Sequence, residues 1–338
     1  MTADVPAFAD QRTRDALTAA HLYYLQDLTM DAIAKELQTS RSSVSRLLSF
    51  ARTTGLVDIR IHSPLDVPSQ IEQELARKYG VTAHVVPVHD QTTDVDRLDR
   101  VAMSAARILG QFFDSNMTMG VAWGSTVSAI SRHLIPKATH DSTIVQLNGA
   151  ANNLTTGIPY ASEILSRFGD AFGASVQQFA VPAFFDDPAT KLALWRERSI
   201  RRVLGIQARM DVALFSVGSR SAEVPSHVFI GGYLDRQDFG SLSALGIVGD
   251  VATVFYRLDG SDSEIPLNAR SSGPAFRMLR RVSRRVCVSA GLAKLDALRG
   301  ALAAKLVTDL IVDEGTARAL IDAEGGRARG ERRHKMTE

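Results

Sequence analysis

Between residues 83 and 312, strand-like and helix-like segments alternate, and this alternation limits the fold more than any other feature of the sequence. It is typical of α/β proteins, in which helices cover both faces of a largely parallel sheet. The predicted strands are residues 83–88, 117–121, 143–147, 176–181, 212–217, 285–289 and 310–312, with a further apolar segment at 247–255. The predicted helices are residues 96–113, 127–134, 161–168, 191–204 and 294–304.

Length and composition limit the class of protein. A chain of 338 residues has room for about two domains, and 45% hydrophobic with 22% charged residues is an ordinary globular composition. Cys287 is the single cysteine, which excludes an internal disulfide and a cysteine-rich zinc site. No apolar run reaches the roughly 18–20 residues of a membrane span, and residues 1–14 lack the apolar core of a signal peptide. We therefore expect a cytoplasmic protein without metal or cofactor.

The start of the chain has a different pattern. Residues 12–62 predict three helices and then a strand-like extension at 56–61, where apolar and polar residues alternate. Thr29 is a good N-cap for the second helix, and Gly55 is expected to end the third. Two short helices joined by a tight turn form a helix-turn-helix motif, and the extension would be the wing of a winged variant.

The third predicted helix has the surface expected of a DNA-recognition helix. Its apolar side chains share one face and its arginines and serines the other. Arginine can donate two hydrogen bonds to guanine, and serine hydroxyls can bind phosphate. An ordinary three-helix cap or dimerisation module is the alternative. The residues expected to contact DNA are Ser40, Arg41, Ser42, Ser43, Ser45 and Arg46.

Small and polar residues stand at the predicted carboxyl ends of the strands, where open α/β sheets bind ligands. Residues 120–126, Gly-Val-Ala-Trp-Gly-Ser-Thr, predict a strand, a glycine turn and a helix start whose free amides and hydroxyls could hold a phosphate. The segment has neither a Walker pattern nor Gly-x-Gly-x-x-Gly, so an ordinary strand-to-helix turn stays open. Similar strand ends are occupied by Asn148, Gly218, Asp250 and Lys294, and this coincidence favours a pocket.

The whole arrangement resembles the SorC family of sugar-binding bacterial transcriptional regulators, from Thr13 to about Leu320. The resemblance rests on the helix-turn-helix at 30–48 with the Gly-Leu-Val-Asp-Ile-Arg-Ile that follows it, and on three later motifs. These motifs are residues 120–127, residues 246–251 (Gly-Ile-Val-Gly-Asp-Val), and residues 289–294 (Ser-Ala-Gly-Leu-Ala-Lys) together with 310–317 (Leu-Ile-Val-Asp-Glu-Gly-Thr-Ala). The resemblance implies an effector domain with the fold of ribose-phosphate isomerases, glucosamine-phosphate deaminases and CoA transferases. It also implies a sugar or sugar-phosphate effector and a homo-oligomer, often a tetramer.

The resemblance also implies roles for individual residues. Gly124, Ser125 and Thr126 would hold the phosphate or equivalent sugar oxygens. Asn148 would face the sugar. Some relatives have lysine at this position, and because asparagine stands here instead, covalent imine capture is not expected in this chain. Asp250 would accept hydrogen bonds from sugar hydroxyls.

Three further residues near the implied pocket are expected to shape it. Lys294 would supply a cation to the phosphate, with a solvated lysine at a helix N-terminus as the alternative. Gln178 would line the pocket, with an ordinary core or loop residue as the alternative. Leu292 stands where glycine is usual in the family and would narrow the pocket mouth.

These patterns predict the domain organisation. Residues 1–62 are expected to be a helix-turn-helix DNA-binding domain, residues 63–325 a sugar-binding effector and oligomerisation domain, and residues 326–338 a basic, disordered tail. Two prolines in residues 63–68 predict a linker. The arginine-rich stretch at 277–285 fits an exposed face, an interface or an anion-binding element, and the sequence leaves all three open.

The predicted function is an effector-responsive, DNA-binding transcriptional regulator of carbohydrate metabolism. Its expected partners are double-stranded operator DNA, a sugar, polyol or sugar phosphate, and further copies of itself as a dimer or tetramer, with no membrane partner. The alternative is an enzyme related to sugar-phosphate isomerases or deaminases, in which Asp250 could act as an acid or base. None of the eight histidines falls in a recognisable catalytic motif, so we assign no catalytic residue and expect no enzyme.

Overall fold

The computed structural model describes residues 11–24, 26, 28–54, 56–57, 69–220 and 226–323. Contacts divide the chain into two compact units, residues 1–67 and residues 68–338. The predicted wing beyond Val57, the linker at 63–68, Gly55 and the basic tail lie outside the described residues. Among the residues described, no helix is both long enough and apolar enough to cross a bilayer.

The described residues of the first unit form three helices. Side-chain hydroxyls cap two of them, because Oγ1 of Thr29 accepts the N–H of Ala32, and Oγ of Ser40 accepts the N–H of Ser43. Their facing apolar side chains form a core of their own, in which Ile33 and Val44 are fully buried. The helices are α1 (Gln11–Tyr24), α2 (Met30–Glu36) and α3 (Arg41–Thr53).

Seven parallel strands form the main sheet of the second unit. Their order is β1-β10-β9-β5-β2-β3-β4, and every pairing is parallel, as the strand–helix alternation predicted. The strands are β1 (Thr82–Val86), β2 (Thr118–Val121), β3 (Thr143–Gln146), β4 (Ser175–Gln177), β5 (Val212–Phe215), β9 (Arg284–Ser289) and β10 (Asp309–Asp313).

Helices cover both faces of this sheet. Successive strand residues point to opposite faces, so Val286 and Val288 join the apolar core on one side and Cys287 the core on the other. The described helices of the second unit are α4 (Gln70–Tyr79), α5 (Asp94–Phe112), α6 (Ser125–Arg132), α7 (Ile158–Phe172), α8 (Pro188–Leu194), α9 (Arg198–Gln207), α10 (His227–Ile230), α11 (Arg236–Ala244), α12 (Pro266–Arg270), α13 (Phe276–Leu279), α14 (Leu295–Ala303) and α15 (Glu314–Asp322), with a 3-10 turn at Leu292–Lys294.

A small antiparallel sheet differs from the prediction. It consists of β6 (Val217–Gly218), β7 (Ile247–Val251) and β8 (Val254–Arg257), in the order β6-β7-β8. The single strand predicted at 212–217 is wrong, because the chain leaves the parallel sheet after Phe215 and joins the small sheet at Val217. Ser216 lies between the two strands and belongs to neither.

One predicted helix is also divided. The segment 191–204 belongs to two helices, α8 and α9, which are separated by residues 195–197, with Trp195 as the C-cap of α8. This indole packs edge to face against Phe179 and Phe185, with ring centroids 5.6 and 5.5 Å apart. The break itself lies at Glu197, whose backbone is extended with a ψ of 138°, whereas Trp195 keeps helical angles.

Candidate functional site

Residues that follow the carboxyl ends of four neighbouring strands meet in one pocket. The strands are β2, β3, β5 and β9, which are parallel and therefore end at the same edge of the sheet. The β7–β8 hairpin of the small sheet supplies a further wall. Of the residues expected to contact an effector, this pocket brings together Gly124, Ser125, Thr126, Asn148, Asp250 and Lys294.

The turn between β2 and α6 forms the first wall. Gly124 has a φ of 150°, a backbone conformation that L side chains rarely adopt, and no atom lies within 4 Å of the position a Cβ would take. Helix α6 begins at Ser125 directly after this glycine, and no side chain caps it. The backbone N–H groups at such a helix start favour an anion, helped by the helix dipole. The turn is therefore an open cradle of the kind that binds phosphate.

Lys294 brings a cation to the same wall. Its side chain is 5% exposed, and Nζ donates hydrogen bonds to Oγ1 of Thr126 at 3.2 Å and to Oγ of Ser216 at 3.5 Å. Burial lowers the pKa of Lys294 to about 8, although the neighbouring Cys287 and Asp250 act in the opposite direction. The alternative of a solvated lysine is therefore wrong.

Asp250 and Asn148 each present a carbonyl or carboxylate oxygen without a donor. Asp250 is 4% exposed; its Oδ2 accepts the backbone N–H of Thr253 at 3.1 Å, whereas Oδ1 has no hydrogen-bond partner among the described residues. Oδ1 of Asn148, in a side chain that is 1% exposed, is unpartnered in the same sense. Burial raises the pKa of Asp250 to about 6, against the opposing effects of the Thr253 amide and Lys294. Because a buried acceptor without a donor is costly, both oxygens are suited to ligand hydroxyl groups.

Aromatic rings close one side of the pocket. Trp123 stacks on Tyr233 with centroids 5.1 Å apart, and His227 stacks on Tyr160 at 4.7 Å. The indole N–H of Trp123 donates to the backbone carbonyl of Asn148 at 3.1 Å, which joins two pocket walls. Burial lowers the pKa of His227 below its ordinary value of 6.5. Apolar surface beside a few convergent polar groups is typical of small-molecule sites.

Four polar lining residues were missed in the sequence: Ser216, Ser226, His227 and Thr253. Ser216 lies within the apolar run at 212–217, which predicted a single strand. Thr253 gave no signal in the sequence, because Ala252 and Thr253 both have positive φ in the two-residue turn between β7 and β8 but lack the asparagine or glycine typical of such a turn. Ser226 and His227 follow a long connection without periodicity, and nothing local places them at the pocket.

Gln178 and Leu292 lie away from this pocket. Gln178 follows the edge strand β4 and lines a different cavity, together with Gln146 and Thr156. Leu292 is 61% exposed and is not among the pocket-lining residues, so it does not narrow the pocket as expected. The carboxyl end of an edge strand is displaced from those of the central strands, which explains why Gln178 falls outside.

The arginine-rich stretch at 277–285 is largely engaged within the second unit. Arg280 donates to the backbone carbonyl of Ala304 at 2.8 Å, and Arg284 pairs with Asp309 at 2.8 Å. None of the five arginines in this stretch lines the pocket. These contacts favour a structural role for Arg280 and Arg284.

The residues expected to contact DNA are grouped at the start of α3. Arg46 lies along the helix, where Nε donates to the carbonyl oxygen of Ser42 and Nη2 donates to Oγ of Ser43, both at 3.3 Å. The side chain of Val44 is buried on the opposite face. The exposed members of the group are Ser40, Arg41, Ser42, Ser45 and Arg46, and Ser43 is half-buried.

Metal-ligating residues are not clustered in the part of the chain that the structure describes. No three His, Cys, Asp or Glu side chains come together there in a way that could hold a metal ion.

Known proteins match almost the whole chain. Residues 63–322 match the family model described as "Putative sugar-binding domain". The deoxyribonucleoside regulator of Bacillus subtilis is 31% identical over 310 residues, which cover 91% of this chain and 97% of that protein. The sorbitol operon regulator of Klebsiella pneumoniae is 23% identical over 305 residues, which cover 89% of this chain and 96% of that protein.

Two solved structures share the architecture. A domain of a possible sugar-binding transcriptional regulator from Arthrobacter aurescens TC1 is 55% identical, with a TM-score of 0.71, and covers 77% of this chain and 100% of its own. The full-length sorbitol operon regulator SorC from Klebsiella pneumoniae has a TM-score of 0.77 and covers 93% of this chain and 100% of its own. At 22% identity, the second comparison establishes the fold alone.

Proposed function

The chain belongs to the SorC family of sugar-binding transcriptional regulators, and from this premise we propose that it binds a phosphorylated sugar in the pocket and that binding changes its affinity for operator DNA. The effector class is inferred from one observation: Lys294 donates a hydrogen bond to Thr126 at the uncapped start of α6. A phosphate there would receive hydrogen bonds from backbone amides and a charge-assisted bond from Nζ. The donor-free oxygens of Asp250 and Asn148 would then accept hydrogen bonds from sugar hydroxyls.

The effector carries one phosphate. Lys294 is the single lysine or arginine among the described residues that line the pocket, and it lies at the α6 end. The pocket also contains the carboxylate of Asp250, which would repel a second phosphate. The Bacillus relative is named for deoxyribonucleosides, which supports placing pentose and deoxypentose monophosphates first in a binding screen.

Helix α3 reads the operator in this proposal. Its exposed face carries Arg41 and Arg46, whose guanidinium groups can contact phosphates and guanine edges. The first unit is then the DNA-binding domain, and the second is the effector and oligomerisation domain with the isomerase-like fold. The protein assembles as a dimer or tetramer in the cytoplasm, so that symmetric half-sites are read together. The effector shifts DNA affinity by a coupling free energy of about 1–3 kcal/mol.

Fluorescence anisotropy tests this proposal directly. The protein is titrated onto DNA from upstream of its own gene and onto scrambled DNA, with and without sugars, sugar monophosphates and sugar bisphosphates. We expect specific binding that a monophosphate shifts about 5- to 150-fold, and no shift by that monophosphate in Lys294→Met. A shift by the unphosphorylated sugar of equal size, or a larger shift by a bisphosphate, would contradict the assignment of one phosphate.

We infer that the chain is not an enzyme. Its relatives are named regulators, and Asp250 is the single carboxylic acid among the described pocket-lining residues, so the pocket holds no pair of carboxylic acids; Lys294 and His227 are the other groups there that exchange protons. Incubation of each effector candidate in D₂O tests this inference, because an isomerase exchanges the hydrogen next to the carbonyl carbon. NMR detection of catalytic exchange that Asp250→Asn abolishes would show an enzyme instead.

A further inference from the structure

Asp313, in the motif at 310–317, makes contacts that the proposed function does not use. The side chain is 0% exposed, and each carboxylate oxygen accepts two hydrogen bonds. Oδ1 accepts the backbone N–H of Thr316 at 3.0 Å and Nη1 of Arg97 at 3.1 Å. Oδ2 accepts the hydroxyl of Thr316 at 2.7 Å and the backbone N–H of Gly291 at 2.9 Å. A carboxylate with four donors is rigidly held.

Helix capping explains only half of these bonds. Asp313 is the N-cap of α15, which accounts for both bonds from Thr316. The bond from Gly291 has no part in that cap, because Gly291 follows the neighbouring strand β9. Arg97 holds the carboxylate from a third element, α5, and its Nε also lies 3.7 Å from Oδ1 of Asp94. Asp313 therefore ties the segment after β9 to α5 and α15.

The segment that Asp313 holds is the one that carries Lys294. Gly291 has a φ of 92°, and its carbonyl accepts the backbone N–H of Lys294 at 3.1 Å. The 3-10 turn at Leu292–Lys294 follows at once. On its other side the turn is fixed by Ser219, whose hydroxyl donates to the carbonyl of Ala293 at 2.9 Å. The Lys294 side chain leaves this turn directly for Thr126.

We propose that Asp313 is a positioning residue for Lys294: by holding the amide of Gly291 it fixes the turn that delivers the lysine to the phosphate end of the pocket. The use of Lys294 for phosphate rests on the proposed function, whereas the placement of Lys294 by Asp313 does not. A residue at the end of the neighbouring strand β10 thus determines the geometry of the anion site.

The test uses two variants of the full-length protein. Asp313→Ser keeps a good N-cap for α15 but removes the oxygen that Gly291 needs. Gly291→Ala leaves Asp313 intact and strains the turn through its backbone alone, because the new Cβ would lie at an ordinary 3.5 Å from Asp94. Asp187→Ser is the matched control, since Asp187 caps α8 through Ala189 and does not line the pocket.

Two measurements are made on each variant. The first is the affinity for inorganic phosphate by calorimetry. The second is the pH titration of Lys294 followed by NMR of side-chain-labelled lysine, with the signal assigned from Lys294→Met among only seven lysines. We expect Asp313→Ser and Gly291→Ala to weaken phosphate binding about 10-fold and to move the pKa of Lys294 from about 8 toward its ordinary 10.5. Asp187→Ser leaves both values unchanged.

The outcomes separate the two proposals. If Lys294 titrates as in the wild type in folded Asp313→Ser and in Gly291→Ala, the positioning role is wrong. If Asp313→Ser does not fold, Gly291→Ala decides by the same criterion. If the pKa of Lys294 moves in the variants but the wild type binds no phosphate, the positioning role stands and the phosphate assignment fails.

Discussion

Gly218 and Asp250 face each other across the antiparallel pair β6–β7, so closely that a Cβ on Gly218 would lie 2.0 Å from Oδ1 of Asp250. This is the same Oδ1 that has no hydrogen-bond partner among the described residues. The missing side chain at position 218 is therefore what gives the carboxylate its place in the pocket. A side chain there forces either the carboxylate or the strand to move.

Gly218→Ala should weaken binding of the effector by at least 10-fold, because it displaces an acceptor of the sugar hydroxyls. We expect a loss of stability of about 1–3 kcal/mol from the same overlap. Calorimetry with the monophosphate from the screen and thermal unfolding measure the two effects.

Gly205→Ala is the matched control. Gly205 lies in α9 with no atom within 4 Å of its Cβ position, so this change should leave binding intact and raise stability by about 0.5–1 kcal/mol. Equal binding by Gly218→Ala and wild type would show that the Asp250 carboxylate is not used.

Asp250 should make stability depend on pH in a defined direction. Burial raises its pKa from 3.8 to about 6, so the folded state favours the protonated carboxyl. The stability contributed by this carboxyl is therefore fully present below about pH 4 and is lost as the pH rises through 6. The loss corresponds to about 3 kcal/mol. Asp250→Asn removes the ionisation and should be more stable than wild type by up to that amount at pH 7.5, with the difference shrinking toward pH 4.5.

Urea unfolding followed by tryptophan fluorescence measures this difference. Both tryptophans, Trp123 and Trp195, belong to the second unit, so the signal reports the unit that contains Asp250. A difference between variant and wild type that stays constant from pH 4.5 to pH 7.5 would rule out a buried, ionised Asp250.

The strand ends that form the pocket could be predicted because each functional residue directly follows an apolar run. Gly124, Asn148 and Lys294 stand within a few residues of a strand, and parallel strands bring their ends to one edge of the sheet whatever their order. Local periodicity is enough for such an inference.

Other parts of the site depend on tertiary structure. The apolar run at 212–217 reads as one strand, and only the competing small sheet separates Ser216 from it. The strand order was not readable from the sequence, so nothing placed Gln178 at an edge rather than at the centre. The bond between Asp313 and Gly291 joins residues 22 positions apart through the pairing of β9 with β10, which no local pattern encodes.

The rate at which a thiol reagent labels Cys287 should report how often the second unit opens. Cys287 is the single cysteine, it is fully buried in β9, and burial raises its pKa to about 12. A disulfide reagent such as DTNB should therefore label it only when the structure opens. Effector at 100 times its Kd should slow the labelling about 100-fold, because it binds the closed state alone. The unfolded protein in urea gives the reference rate, and rapid labelling of the native protein would contradict the buried position.

Arg46 should carry sequence-specific DNA binding, whereas Arg52 on the same helix provides a control with the same change in charge. Both side chains are exposed on α3, but six residues of helix separate them by about 120° around the axis. Arg46→Ala should weaken operator binding by about 1–3 kcal/mol if it contacts a base, with a smaller effect on scrambled DNA. If it contacts a phosphate instead, both DNAs lose affinity equally, and the slope of log affinity against log salt concentration decreases by about one.

Effector binding should be unchanged in Arg46→Ala, because Arg46 belongs to the other unit. Anisotropy titrations over a range of salt concentrations separate these outcomes, and operator binding by Arg46→Ala that matches Arg52→Ala would remove Arg46 from the DNA interface.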